Sequence, residues 1–206
     1  MKILFLKVCT KIYLLGKKTY EKSVINSLYK KGRIDTSVRF SMNTDLQNLN
    51  NNLDSISIGK ECNIEGLILV YPYGGNIKIG DYCSISINSR IISTNKIKIG
   101  DRVLIAHNVN IIDNNSHPID ADKRHLDFVE SYTIGMQKHE LNGAPIFIED
   151  DVWIGHDTTI LKGITIGKGA IIGACSLVTK DIEPWTVNVG NPLRVIQYLK
   201  DKKNKS

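Results

Sequence analysis

Five histidines (His107, His117, His125, His139, His156) and four cysteines (Cys9, Cys62, Cys83, Cys175) are the side chains best suited to chemistry at neutral pH. An imidazole, with an ordinary pKa of ~6.5, can take the proton of a weakly acidic hydroxyl. The histidines lie 10, 8, 14 and 17 residues apart, and no two cysteines form a C-x-x-C pair. That spacing offers no disulfide framework or zinc knuckle, and no metal is expected. His117, in Ser116-His117-Pro118, stands where a regular repeat breaks off and a long excursion begins. Long loops on regular scaffolds usually carry function. Asp113, four residues earlier, is the carboxylate that could orient the imidazole.

The repeat dictates the scaffold. From Ile148 an aliphatic residue returns every six positions, at Ile154, Ile160, Ile166, Ile172 and Val178. Ile79, Ile85 and Ile91 keep the same interval, as do Ile99, Ile105 and Ile111, with a two-residue insertion between the sets. Four residues after these positions stand mostly small or β-branched residues, among them Cys83, Val103, Val109, Val152, Thr158, Ile164, Ala170 and Ser176. Neither a helix nor an alternating strand repeats at six. A parallel β-helix does: each hexad is one short strand and one corner, and three strands close a coil. Positions eighteen apart then stack, Ile148 with Ile166, Ile154 with Ile172 and Ile160 with Val178. Glycines after the aliphatic position, as at Gly155, Gly167 and Gly173, are expected to let the chain turn.

With 206 residues, the chain divides into a basic segment with a ragged first coil or linker (1–53), a β-helix (54–191) with an excursion at 118–145, and a C-terminal helix and basic tail (192–206). The net charge of +6 is uneven, with +8 on residues 1–33, +3 on 200–206 and −5 between. A basic stripe across the body is absent, so a nucleic-acid partner is not expected. The basic ends suit peripheral contact with a membrane surface or simple solvation. Residues 2–15 read as an amphipathic helix, and LRVIQYLKDKK after Pro192 reads as a helix started by proline. No apolar run reaches the ~18 residues of a membrane span, and Lys7 and Lys11 break the apolar start. A cytoplasmic protein is expected, with the inner membrane face as an option.

Four stretches carry a family resemblance: NSRIISTNKIKIG (88–100), VLIAHNVNIIDNNSHPID (103–120), PIFIEDDVWIGHDTTILKGITIGKGAIIGACSLVTKDI (145–182) and VGNPLRVI (189–196). They resemble the hexapeptide-repeat acyltransferases, nearest to the galactoside, maltose, xenobiotic and surface-polysaccharide O-acetyltransferases. The resemblance implies a left-handed parallel β-helix; the spacing alone leaves the hand open, and most parallel crossovers are right-handed. It also implies a homotrimer with sites between subunits, and acetyl-CoA as co-substrate.

Carried over residue by residue, the resemblance makes His117 the base that deprotonates a saccharide hydroxyl. Asn88 matches an acceptor-binding amide, and Gly155 and His156 match the position where a backbone N–H meets the thioester and its oxyanion. Trp153, Ala174, Thr179, Lys180 and Arg194 match contacts to the coenzyme, whose phosphates suit ammonium and guanidinium groups. Gln197 stands where the galactoside type has a second arginine. The implied function is acetyl-CoA-dependent O-acetylation of a saccharide, in surface polysaccharide modification, with a lipid-linked acceptor as one form. Beside it stand an N-acyltransferase acting on an amino or nucleotide sugar, and a silent β-helix scaffold. A zinc β-helix of the carbonic-anhydrase type is disfavoured, because no H-x4-H step occurs.

Overall fold

The computed structural model describes residues 2–199. Helix α1 (Lys2–Leu28) leads into a stack of short strands. Each coil supplies three. The first holds β1 (Arg33–Ile34), β2 (Arg39–Phe40) and β3 (Asp45–Asn48), and the second β4 (Ile56–Ile58), β5 (Asn63–Ile64) and β6 (Leu67–Val70). The third holds β7 (Ile77–Ile79), β8 (Ser84–Ile85) and β9 (Arg90–Ser93), and the fourth β10 (Ile97–Ile99), β11 (Leu104–Ile105) and β12 (Asn110–Ile112). After the excursion come β13 (Ile146–Ile148), β14 (Trp153–Ile154) and β15 (Thr159–Ile160), then β16 (Thr165–Ile166), β17 (Ile171–Ile172) and β18 (Leu177–Val178). Taking every third strand gives three parallel faces of a prism. Sheet A runs β1-β4-β7-β10-β13-β16, sheet B runs β2-β5-β8-β11-β14-β17, and sheet C runs β3-β6-β9-β12-β15-β18.

The expected eighteen-residue stacking holds in register: Ile148 pairs with Ile166, Ile154 with Ile172 and Ile160 with Val178. The inward isoleucines are buried, and so are the partners four residues on, including Val152, Thr158, Ala170 and Ser176. Burial of each such isoleucine contributes ~1.5–3 kcal/mol. The first coil starts at Arg33, inside the segment read from sequence as a basic extension with a ragged coil.

Gly155, Gly167 and Gly173 work differently from the expected turning role, although Gly163 and Gly169 do take the left-handed corner backbone, with φ of 78° and 66°. The left-handed backbone at the corners falls on other residues, such as Tyr82, Asn88, Arg102, Asn108, Asp151 and Asp157. A Cβ on Gly155 would lie 2.6 Å from the backbone nitrogen of Ala174 in the next coil. Glycine is required there because two corners stack at backbone contact distance.

Two elements depart from expectation. Helix α2 (Ala121–Thr133) fills the first half of the excursion. The C-terminal helix is absent where it is described: β19 (Thr186–Val189) continues sheet B, and β20 (Arg194–Tyr198) folds back on it antiparallel. β19 leaves a free sheet edge, and the β-branched Val195 and Ile196 suit a strand that covers it. The basic tail, 200–206, lies outside the described residues.

Candidate active site

The chain leaves the fourth coil after β12, and Asp113 fixes the departure. It is fully buried. Its Oδ2 accepts from Ser93 Oγ (2.6 Å) and the Asn95 N–H (3.0 Å), and its Oδ1 from the Thr94 N–H (2.9 Å) and Asn114 Nδ2 (3.1 Å). With its oxygens spent on the third-coil corner, Asp113 makes no bond to His117. The expectation that it orients the imidazole is therefore corrected.

A tight turn follows. Ser116 takes φ 63° and donates its N–H to Asn114 Oδ1 at 2.7 Å, and the His117 N–H donates to Asn115 O at 2.7 Å. This throws His117 outward, with its side chain 59% exposed. Its Nδ1 lies 2.7 Å from Oδ2 of Asp127, which is only 15% exposed. A carboxylate only accepts, so this pairing puts the ring proton on Nδ1 and leaves Nε2 as the free base.

Asp127 comes from α2. Asp120 caps that helix, its Oδ1 accepting from the Lys123 N–H at 2.9 Å. On the far side of Asp127, His139 Nε2 lies 2.8 Å from Glu130 Oε2 and 3.7 Å from Asp127 Oδ1. Tyr71 and Tyr73, rings 5.5 Å apart, complete the neighbourhood. Burial first, then Tyr71 and Asp127, push the Tyr73 hydroxyl up to about 12. Sequence reasoning missed Asp127 because the excursion reads as a loop. The usable signal was an aspartate N-cap, Asp120, followed by a run free of Gly and Pro.

A second set of expected residues gathers at the corner between sheets B and C. Asn88, Asn108, Asp157 and Cys175 occupy the same corner position in four successive coils, with φ of 62°, 59°, 55° and 57°. Asparagine tolerates that backbone, so the corner by itself accounts for the residue type at Asn88. Asn88 also lines a polar groove of about 550 Å³ with Asn43, Asp45, Arg90, Asn108 and Asp157.

One position earlier in the corner stand His107, His156 and Ala174. The Gly155 N–H donates to Ile172 O at 2.7 Å, so it is committed to the coil stack. Of the expected pair Gly155 and His156, the backbone donor left without a bond among the described residues is that of His156. The His156 imidazole places Nδ1 2.7 Å from Asp157 Oδ2. That contact, then the Asn108 amide, holds the Asp157 carboxyl below its usual range.

The residues expected to hold the coenzyme are exposed. Trp153, 52% exposed, stands on the outer face of sheet B, and Arg194 lies on β20 of the same sheet. Ala174 is at the B–C corner, whereas Thr179 and Lys180 follow β18 at the C–A corner with His117. Lys180 and Arg194 form no ion pair among the described residues, and their free cations fit a polyphosphate ligand.

Asn88, His156 and Ala174 thus lie at one edge of sheet C and His117, Thr179 and Lys180 at the other, with Trp153 and Arg194 on sheet B. A four-residue strand such as β9 spans roughly 13 Å, so Asn88 and His117 do not meet within one chain. They can share a site only where the B–C edge of one protomer meets the C–A edge of another.

The molecule is thus a parallel β-helix of hexads with an imidazole–carboxylate pair at one edge. Residues 145–180 match the family described as Bacterial transferase hexapeptide (six repeats). The chain is 38% identical over 132 residues to galactoside O-acetyltransferase from Escherichia coli strain K12, which covers 64% of this chain and 59% of that protein. A maltose O-acetyltransferase structure from Clostridium difficile 630 is 31% identical, with TM-score 0.51, covering 83% of this chain and 71% of that one. A hexapeptide-repeat acetyltransferase from Vibrio cholerae, solved with acetyl coenzyme A, is 30% identical, with TM-score 0.52 and coverage of 70% and 71%. The chain belongs to the hexapeptide-repeat transferase family, and its fold is the left-handed β-helix of that family. It spans less than two thirds of the length of the curated relatives it matches.

Proposed function

We propose that this protein is an acetyl-CoA-dependent O-acetyltransferase acting on a saccharide hydroxyl. The observation that carries the reading is the His117–Asp127 pair. His117 Nε2 takes the hydroxyl proton as the oxygen attacks the thioester carbonyl. The tetrahedral oxyanion collapses, the C–S bond breaks, and the thiolate leaves with the coenzyme. The His156 N–H is the backbone donor available for the oxyanion, and such a donor is worth ~2.7–4 kcal/mol in acyl-transfer sites. Trp153, Ala174, Thr179, Lys180 and Arg194 hold the coenzyme, and the groove beside Asn88 holds the acceptor. Asparagine side chains suit a sugar because each amide both donates and accepts.

A homotrimer supplies the missing half of each site. Its support is the split of site residues between two edges, together with the excursion's exposed apolar side chains Phe128, Tyr132, Ile134 and Met136. Among the described residues no helix is long and apolar enough to cross a membrane. The basic N-terminal segment favours peripheral contact at the inner membrane face and a lipid-linked precursor of surface polysaccharide. The test is thiol release from acetyl-CoA with a panel of saccharide acceptors. His117→Ala is expected to lower kcat by ~10²–10⁴ while coenzyme binding by calorimetry survives. An unchanged kcat would remove His117 from the chemistry. Mass spectrometry of the surface glycan with and without the gene identifies the acceptor.

A further inference from the structure

Besides the His117 pair, the fold juxtaposes two imidazoles that lie 49 residues apart in sequence. His107 and His156 occupy the same corner position in the fourth and fifth coils, so the strand pairing of β11 with β14 fixes them one coil apart. Their rings lie parallel, with 5.0 Å between centroids and 4° between planes. Asp157 adds a carboxylate, its Oδ2 2.7 Å from His156 Nδ1 and its Oδ1 held by Asn108 Nδ2 at 3.0 Å. One donor atom from each of His107, His156 and Asp157 falls within 4.8 Å of the others.

We propose that His107, His156 and Asp157 form a binding site for a divalent transition-metal ion at the rim of the Asn88 groove. The ligand set, two imidazoles and a carboxylate, selects the Zn²⁺, Co²⁺, Ni²⁺, Cu²⁺ class. Ca²⁺ and Mg²⁺ prefer six or more oxygens. A tetrahedral ion with bonds of ~2.0–2.2 Å needs donors ~3.4 Å apart. The widest pair, at up to 4.8 Å, must therefore close by about 1.4 Å, and His156 Nδ1 and Asp157 Oδ2, at 2.7 Å, must part by about 0.7 Å, which side chains on an open corner can do by changing rotamer. The Asn108 amide restrains the carboxylate as outer partners of metal ligands do. Three protein ligands leave a fourth position open towards the groove, because Asn108 and Asp157 line it.

Isothermal calorimetry of the full chain with Zn²⁺, and separately Co²⁺, tests the site without any turnover, so its outcome is independent of the acyl-transfer reading. One ion per chain is expected. His107→Gln and His156→Gln should each weaken binding by at least ~10-fold, and the double variant should abolish it. His139→Gln, at the other edge, should bind as the unaltered protein does. Circular dichroism confirms that each variant is folded. No binding of either ion to the unaltered protein would overturn the proposal. So would full affinity in the folded double variant, or loss of binding in His139→Gln.

Discussion

Replacing Asp127 by alanine removes one carboxylate from the Nδ1 side of His117 and leaves the coil stack untouched, because Asp127 sits on α2 outside the prism. The bond is short, 2.7 Å, and its donor becomes an imidazolium during proton abstraction. A charge-assisted bond of this kind is worth ~1.5–3 kcal/mol. At ~1.4 kcal/mol per factor of ten, Asp127→Ala should lower kcat by roughly 10–150-fold. Asp127→Asn is the sharper probe. If its amide N–H₂ turns to Nδ1, the ring proton moves to Nε2 and the base is lost, with a fall approaching that of His117→Ala, ~10²–10⁴. The assay is thiol release at saturating acetyl-CoA, with acceptor concentration varied. Coenzyme affinity, measured by calorimetry, should not change. In a His117→Ala background, Asp127→Ala should cost nothing further, since the pair acts as a unit. An unchanged kcat in Asp127→Ala would refute the reasoning. So would a loss confined to the acetyl-CoA KM, or full additivity with His117→Ala.

Asp113→Ala removes the acceptor of the Thr94 N–H and leaves the buried Ser93 hydroxyl only a long 3.4 Å contact to Asn76 O, at ~1–3 kcal/mol for each donor left without a good partner, whereas the N–H of exposed Asn95 can turn to water. Its urea midpoint should fall well below that of the unaltered protein, and an equal midpoint would show that water replaces the carboxylate. Gly155→Ala forces a Cβ to 2.6 Å from the Ala174 nitrogen, so a loss of ~1–3 kcal/mol in chemical denaturation is expected. Ile105→Ala, in the middle of the sheet B stack, should cost ~2–5 kcal/mol by the same measurement. The Asp150 carboxyl is held below its usual range, first by the Asp101 N–H and then by Lys168. Its contribution is therefore complete above the unfolded value of ~3.9 and disappears as pH falls through the lower folded value. Acid-unfolding curves of Asp150→Asn should be flatter there, and identical curves would contradict the assignment.

The six-residue aliphatic period was sufficient for the coils from Ile79 onward, down to the pairs Ile148 with Ile166 and Ile160 with Val178, because those coils differ little in length and their core accepts one branched side chain per strand; the longer first two coils and the hand of the winding were not legible in it. His117 was also legible, as the residue at which that period stops. Its partner was not. Asp113 is the nearer carboxylate in sequence, but three corner donors claim it, and Asp127 reaches the ring only because α2 folds back over the turn. The C-terminal segment misled for a related reason. Its proline start and charged end satisfy a helix locally, whereas the unpaired edge of β19 recruits it as a strand. Likewise His107 and His156 are distant along the chain, and only the excursion between the fourth and fifth coils, looped out of the stack, makes them neighbours. Sequence alone determined what repeats, since periodic burial is a local property of each hexad. Tertiary structure decided which side chains meet, since those contacts depend on where the non-repeating segments return.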